Sequence, residues 1–180
     1  MKNLVIFLLA CLSFTNRAGQ ELYACKNASI TLFSTAPIED ISATSTAGTS
    51  VFNAASGDLV FAVNINSFKF PKSLMQEHFN SDYMESDKYP KATFRGKINE
   101  HIDVTKNGTY PVNATGDLEV HGVKQNRTVQ GKLTVNNGSI TLNSEFMVKC
   151  ADHHIDIPKI VFHNIAESIK LTVVANYTKQ

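Results

Sequence analysis

From Ser29 onward the chain alternates apolar and polar residues in short runs separated by turn-forming residues. A period of two marks strands with one buried face. In "GDLVFAVNINSF" the residues Leu59, Phe61, Val63 and Ile65 fall on one side. "ATFRGKI" aligns Phe94, Gly96 and Ile98, with Thr93, Arg95 and Lys97 opposite, and "GDLEVHGV" sets Leu118 and Val120 against Glu119 and His121. "GSITLNSEFMVKC" puts Ile140, Leu142, Phe146 and Val148 on one face, and "SIKLTVVANY" repeats the pattern with Ile169, Leu171 and Val173. Turns are expected at Ser56-Gly57-Asp58, Asn107-Gly108, Thr115-Gly116-Asp117 and Asn136-Asn137-Gly138, residues that tolerate positive φ. Many strands joined by short antiparallel links predict a mainly β meander, closed into a barrel or folded as a sandwich.

One segment breaks the pattern. In "SLMQEHFNSDYMESDKYPKATF", Pro71 halts the strand before it, and Ser73 with Gln76 predicts a capping box for a short helix. Leu74, Met75, His78, Phe79 and Tyr83 then share a face at helical spacing. Asn80, Ser81 and Asp82 weaken the helix, so two or three turns are expected before an irregular passage to Pro90. Such a helix is expected to lie across an open end of the barrel, as a plug or as a lid over a cavity.

The first twenty residues read differently. "MKNLVIFLLACLSF" has one basic residue and an apolar run from Leu4 to Leu12, the length of a secretory h-region and too short to cross a bilayer. Residues 1–20 are therefore expected to be a signal peptide and 21–180 a single domain with a sizeable core. A competing reading makes Leu8 to Cys11 a lipoprotein box with Cys11 acylated. Export leaves Cys25 and Cys150 as the mature thiols, either as a disulfide or with Cys150 as a small core residue. With a formal net charge of +1 and no basic block, nothing points to nucleic acid or an anionic membrane surface, and no nucleic-acid partner is expected.

At this point the residues carry a resemblance. "DYMESDKYPKATF" followed by "GDLEVHGVKQNRTV" resembles the YceI-like family of secreted, lipocalin-like, polyisoprenoid-binding proteins. The matching positions are Lys88-Tyr89-Pro90 with Phe94, and Gly116, Leu118, His121, Gly122 and Val123. The family's opening "D-x-x-H-S" element is replaced here by "YACKNASITLFSTAPIEDISATS". The resemblance implies an antiparallel up-and-down β-barrel of about eight strands with one helical insert. It also implies an elongated apolar cavity, in which some members hold an isoprenoid chain, and a periplasmic location.

Combined with the face pattern, this makes Phe61, Val63, Ile65, Phe94, Leu118, Val120, Phe146 and Val148 the candidate cavity lining, with Leu74, Met75, Phe79 and Tyr83 closing one side. His78 and Tyr83 are candidate polar handles for a headgroup. The expected partner is an isoprenoid-type lipid (polyprenol, polyprenyl phosphate or quinone), with transient membrane contact and a monomer or homodimer. No cofactor is expected beyond such a bound lipid. With 11 Phe and no Trp, the lining would be smooth and poor in hydrogen-bond donors. "CADHHID" raises a metal reading, but His153 and His154 are adjacent and on a strand would point to opposite faces. No G-x-S-x-G or other nucleophile spacing occurs. The expectation is a binding protein without catalysis, the alternatives being a periplasmic stress-related interaction protein with a filled core, or a metal-dependent enzyme using His153 or His154.

Overall fold

The computed structural model describes residues 21–35, 40–157 and 167–180. Residues 1–20, where the expected signal peptide and Cys11 fall, lie outside them. Eight strands run in sequence: β1 (Leu22–Ser34), β2 (Ile41–Asn53), β3 (Asp58–Asn64), β4 (Lys91–Ile98), β5 (Gly108–Val120), β6 (Val123–Asn136), β7 (Ser139–Lys149) and β8 (Ser168–Lys179). Each pairs antiparallel with the next, and β8 pairs back to β1, so the sheet closes into an up-and-down barrel. Closure removes the free edges that an open sheet would expose.

The two ends differ. The short β2–β3 and β6–β7 hairpins and the β4–β5 loop share one end, filled by Tyr23, Phe52 and Tyr177. Phe52 lies with its ring centroid 6.5 Å from that of Tyr23 and 6.3 Å from that of Tyr177. The opposite end carries the β3–β4 connection and its helix, α1 (Ser73–His78), continued by a π-helical turn over Phe79–Tyr83.

Two local expectations are corrected. Ser73 and Gln76 form no capping box: the N-cap is Lys72, with no side-chain cap bond, and Gln76 Oε1 instead accepts from the Phe70 N–H at 3.4 Å. Thr115-Gly116-Asp117 is not a turn but the interior of β5, where Gly116 stands directly opposite Gly96. A Cβ at Gly116 would collide with the Arg95 carbonyl and the Gly96 Cα, so this glycine serves a close backbone approach between strands. The β5–β6 turn instead falls at His121-Gly122, with φ of 52° and 70°, the mirror-image geometry that matches strand twist.

Candidate functional site

The inward face pattern of the strands meets in an apolar cavity. Phe61 and Val63 of β3, Phe94 of β4, Leu118 and Val120 of β5, and Phe146 of β7 all line it. Its volume is ≈ 120 Å³, and among its lining residues only Thr93, Gln130 and Ser144 have polar side chains. Sequence reasoning did not single out Ala114, Val129 or Gly131, which also border it; their inward register on β5 and β6 was the available signal. Ile65 and Val148 are buried nearby in a cluster with Met84, Leu118 and Val120, and do not border the cavity.

A second cavity of ≈ 360 Å³ lies towards the helix. It is reached one inward position further along β1 and β8: Ile30 and Leu171 border the first cavity, Leu32 and Ile169 the second. Met75, His78, Phe79 and Tyr83 form its helical wall. Phe79 anchors that wall, its ring centroid 5.7 Å from Phe68 and 4.9 Å from Phe70. Burial and the neighbouring Asp82 charge raise the Tyr83 phenol, which keeps its proton as a donor. Leu74 departs from the expected face: it is 59% exposed. The helix has only six residues before the backbone opens into the π turn, and the face it presents takes Met75, His78, Phe79 and Tyr83 while leaving Leu74 outside.

Of the two readings of the cysteines, the structure takes the one without a disulfide. Cys25 and Cys150 are both free and buried. Cys25 is paired to Ser50 at the aromatic-filled end, while Cys150 comes directly after β7 and borders the helix-end cavity. Nearly the full length of β7 separates these levels, on the order of 30 Å, far beyond the ~7 Å that a disulfide spans. Burial pushes the Cys150 thiol up, away from the reactive thiolate.

The two sequence signatures touch each other at the helix end. The Tyr89 ring packs edge-on to His121 with centroids 4.5 Å apart, and Lys88 Nζ stands 4.8 Å from the Tyr89 centroid. A Cβ at Gly122 would lie 2.5 Å from the Tyr89 ring, which with the positive φ explains glycine there. His121 Nε2 meets Glu85 Oε2 at 2.9 Å and its Nδ1 donates to the His153 carbonyl at 3.1 Å. The group therefore bolts the β3–β4 connection to the β5–β6 turn and to the turn after β7.

His153 itself is fully buried, with Nδ1 donating to the Val123 carbonyl at 3.0 Å, whereas His154 is exposed at a left-handed φ of 53°. The two rings diverge. Among the described residues no three His, Cys, Asp or Glu side chains gather as a metal set, and His163 lies outside those residues.

Residues 26–177 match the model of the YceI-like domain. The chain belongs to the YceI-like family. No curated protein matches it. Among solved structures, a polyisoprenoid-binding domain from Saccharophagus degradans, described as implicated in plant cell wall breakdown, superposes with a TM-score of 0.74 at 13% identity. That match covers 90% of this chain and 100% of the other. BcnA of Burkholderia cenocepacia gives 0.70 at 16% identity over 83% and 95% of the two chains. The YCEI protein of Campylobacter jejuni gives 0.62 at 17% over 79% and 86%. At these identities the likeness establishes a shared YceI-like fold. The barrel with its helical insert is thus the family architecture, and the Tyr89–His121–Gly122 contact is where this YceI-like chain fastens that insert.

Proposed function

We propose that this YceI-like protein binds and carries or sequesters an amphiphilic isoprenoid-type lipid, without making or breaking bonds, and that it does so in the periplasm after removal of residues 1–20. One observation supports the reading above all: an almost wholly apolar void at the centre of the barrel. Leaving ≈ 120 Å³ unfilled forgoes about 3 kcal/mol at ~24 cal/mol per Å³, a cost that collapse or larger side chains would otherwise remove. A ligand that fills the space recovers that packing.

Size favours a slim, branched chain. Apolar cavities of roughly 150 Å³ stay dry and take up benzene, so the inner chamber accommodates about one five-carbon isoprene unit without rearrangement. Each such unit contributes about 2–3 kcal/mol on burial. Further units would occupy the ≈ 360 Å³ helix-end chamber, where His78 and Tyr83 border the space. The polyisoprenoid-binding description of the Saccharophagus degradans domain agrees with this choice of ligand.

Native mass spectrometry and solvent extraction of the purified protein test the proposal, with subsequent titration of the delipidated protein with a polyprenol and a quinone. Co-purifying isoprenoid and saturable uptake are expected, and Ala114→Phe, which fills the inner chamber, should reduce uptake by about tenfold or more. Delipidated protein that takes up neither ligand would overturn the reading. Fractionation of cells tests the location.

A further inference from the structure

The barrel wall has a window, and a charged side chain stands inside it. β6 pairs with β5 along its whole length, from Val123 to Val135, but pairs with β7 only from Gly131 to Asn136. Beyond Gly131↔Ser144 the two strands part, so residues 126–130 of β6 and 145–149 of β7 face each other without a ladder. Above the gap the strands are held together again: Gln125 Nε2 donates to the Asp152 carbonyl at 2.8 Å, and His153 Nδ1 to the Val123 carbonyl at 3.0 Å. The result is a bounded lateral opening of about five residues, or ~16 Å at strand rise. The inner cavity reaches its lower margin, where Val129, Gln130, Gly131, Ser144 and Phe146 are lining residues.

Arg127 lies within this opening. It pairs with Gly116, between the Leu118↔Gln125 and Ala114↔Val129 pairs, so its register places it on the inward face with the cavity residues. Its Nη1 is buried and has no hydrogen-bond partner. Of the three carboxylates on the flanking strands, Glu145 meets Lys170 at 3.7 Å, Asp117 accepts from Asn126 at 3.0 Å, and Glu119 stands opposite Lys124 at the parity that faces away from the cavity. A guanidinium does not deprotonate in a protein, and although Arg127 is partly exposed, its Nη1 is shut off from water with no acceptor, which is costly. The exposed Lys132 and Lys149 on the two rim strands add positive charge outside the opening.

We infer that this window seats a phosphate or diphosphate headgroup, with the Arg127 guanidinium as its principal ligand and the prenyl chain running inward past Val129 and Phe146. The inference rests on the lipid-carrier reading and selects, within it, the phosphorylated isoprenoids over the neutral alcohols and quinones. A quinone carbonyl accepts a hydrogen bond but leaves the charge uncancelled, whereas a phosphate matches the planar fork in both charge and geometry. His78 and Tyr83, in the helix-end chamber, would then face the chain rather than the headgroup.

The test compares geranylgeranyl diphosphate, geranylgeraniol and inorganic pyrophosphate on the delipidated protein by calorimetry, for the native chain, Arg127→Gln and Arg127→Lys. The native protein is expected to bind the diphosphate about tenfold or more tightly than the alcohol, with a preference that weakens as salt is raised. Arg127→Gln should erase most of that preference while changing the alcohol far less, and Arg127→Lys should fall between. Unchanged circular dichroism will show that the variants are folded. Equal native affinity for diphosphate and alcohol, or an equal loss of both in Arg127→Gln, overturns the headgroup seat while leaving a lipid carrier intact. Inorganic pyrophosphate binding as tightly as the prenyl diphosphate overturns the lipid as the source of the anion. Failure of both prenyl ligands to bind overturns the carrier reading itself, and the headgroup seat with it.

Discussion

The hydroxyls of Ser50 and Tyr177 lie 2.7 Å apart, 127 residues distant in sequence and buried at the aromatic-filled end of the barrel. Ser50 Oγ also donates its single proton to the Val60 carbonyl at 2.8 Å, so the Tyr177 hydroxyl must be the donor to Ser50. Burial raises the Tyr177 phenol well above its ordinary range, and the donor role persists at any physiological pH. Ser50→Ala leaves the buried tyrosine hydroxyl and the Val60 carbonyl short of a partner, at a cost of about 1–3 kcal/mol. Tyr177→Phe leaves Ser50 still donating, and should cost nearer to ~1 kcal/mol. Urea unfolding of the two variants will rank them, and a larger loss for Tyr177→Phe would contradict this assignment of donors.

Phe79 and Leu74 offer a contrast on neighbouring turns. Phe79→Ala removes the ring wedged against Phe68 and Phe70 and should destabilise by about 2–4 kcal/mol. Leu74→Ala alters an exposed side chain and should stay within about 0.5 kcal/mol. Hydrogen exchange across residues 73–84 should quicken in the first variant and not in the second.

Much of this was legible in the alternation of the strands. Phe61, Val63, Phe94, Leu118, Val120 and Phe146 reach the cavity because a strand's side-chain period is fixed at two once its register is set. Leu74 was misplaced because the helix has only six residues, too few for the sequence to define the edge of its stripe: Met75, His78, Phe79 and Tyr83 share the cavity wall, while Leu74 falls just outside it. Gly116 read as a turn because a glycine beside an aspartate has the same local signature whether it bends the chain or lets two strands come close. The window was not legible at all. Where β6 and β7 stop pairing depends on how far each ladder extends in three dimensions, although an arginine at inward parity on "VKQNRTV" was a signal open to notice.

The thiols make a chemical prediction. In the folded protein Cys25 and Cys150 should react slowly with a thiol reagent, and both should titrate fully in denaturant without prior reduction. A mass two hydrogens short of the reduced value, in protein that begins near Glu21, would contradict the separation of the two cysteines.

Acid should loosen the β4–β5 loop. The Glu100 carboxylate accepts from the Asn113 backbone N–H at 2.8 Å and from Asn113 Nδ2 at 2.7 Å. These bonds, the backbone one foremost, lower its pKa below the ordinary glutamate value. A depressed native pKa contributes stability that is full above the unfolded-state value and lost as pH falls through the native one. The native protein should therefore lose more thermal stability than Glu100→Gln as pH is lowered across that interval, so that the two melting curves converge in acid. Parallel curves would remove Glu100 from the account.

The first and last strands form one ladder, with Tyr23 opposite Lys179 and Phe33 opposite Lys170. No nascent chain can complete this seam until β8 (Ser168–Lys179) has left the ribosome, and contacts of such long sequence separation are slow to assemble. Until then β1 and β7, the two strands that β8 joins, expose raw hydrogen-bonding edges, which invites self-association of unfinished molecules. A chain cut short before Ser168 would lack the closing stave altogether and should accumulate as aggregate rather than as a smaller working barrel.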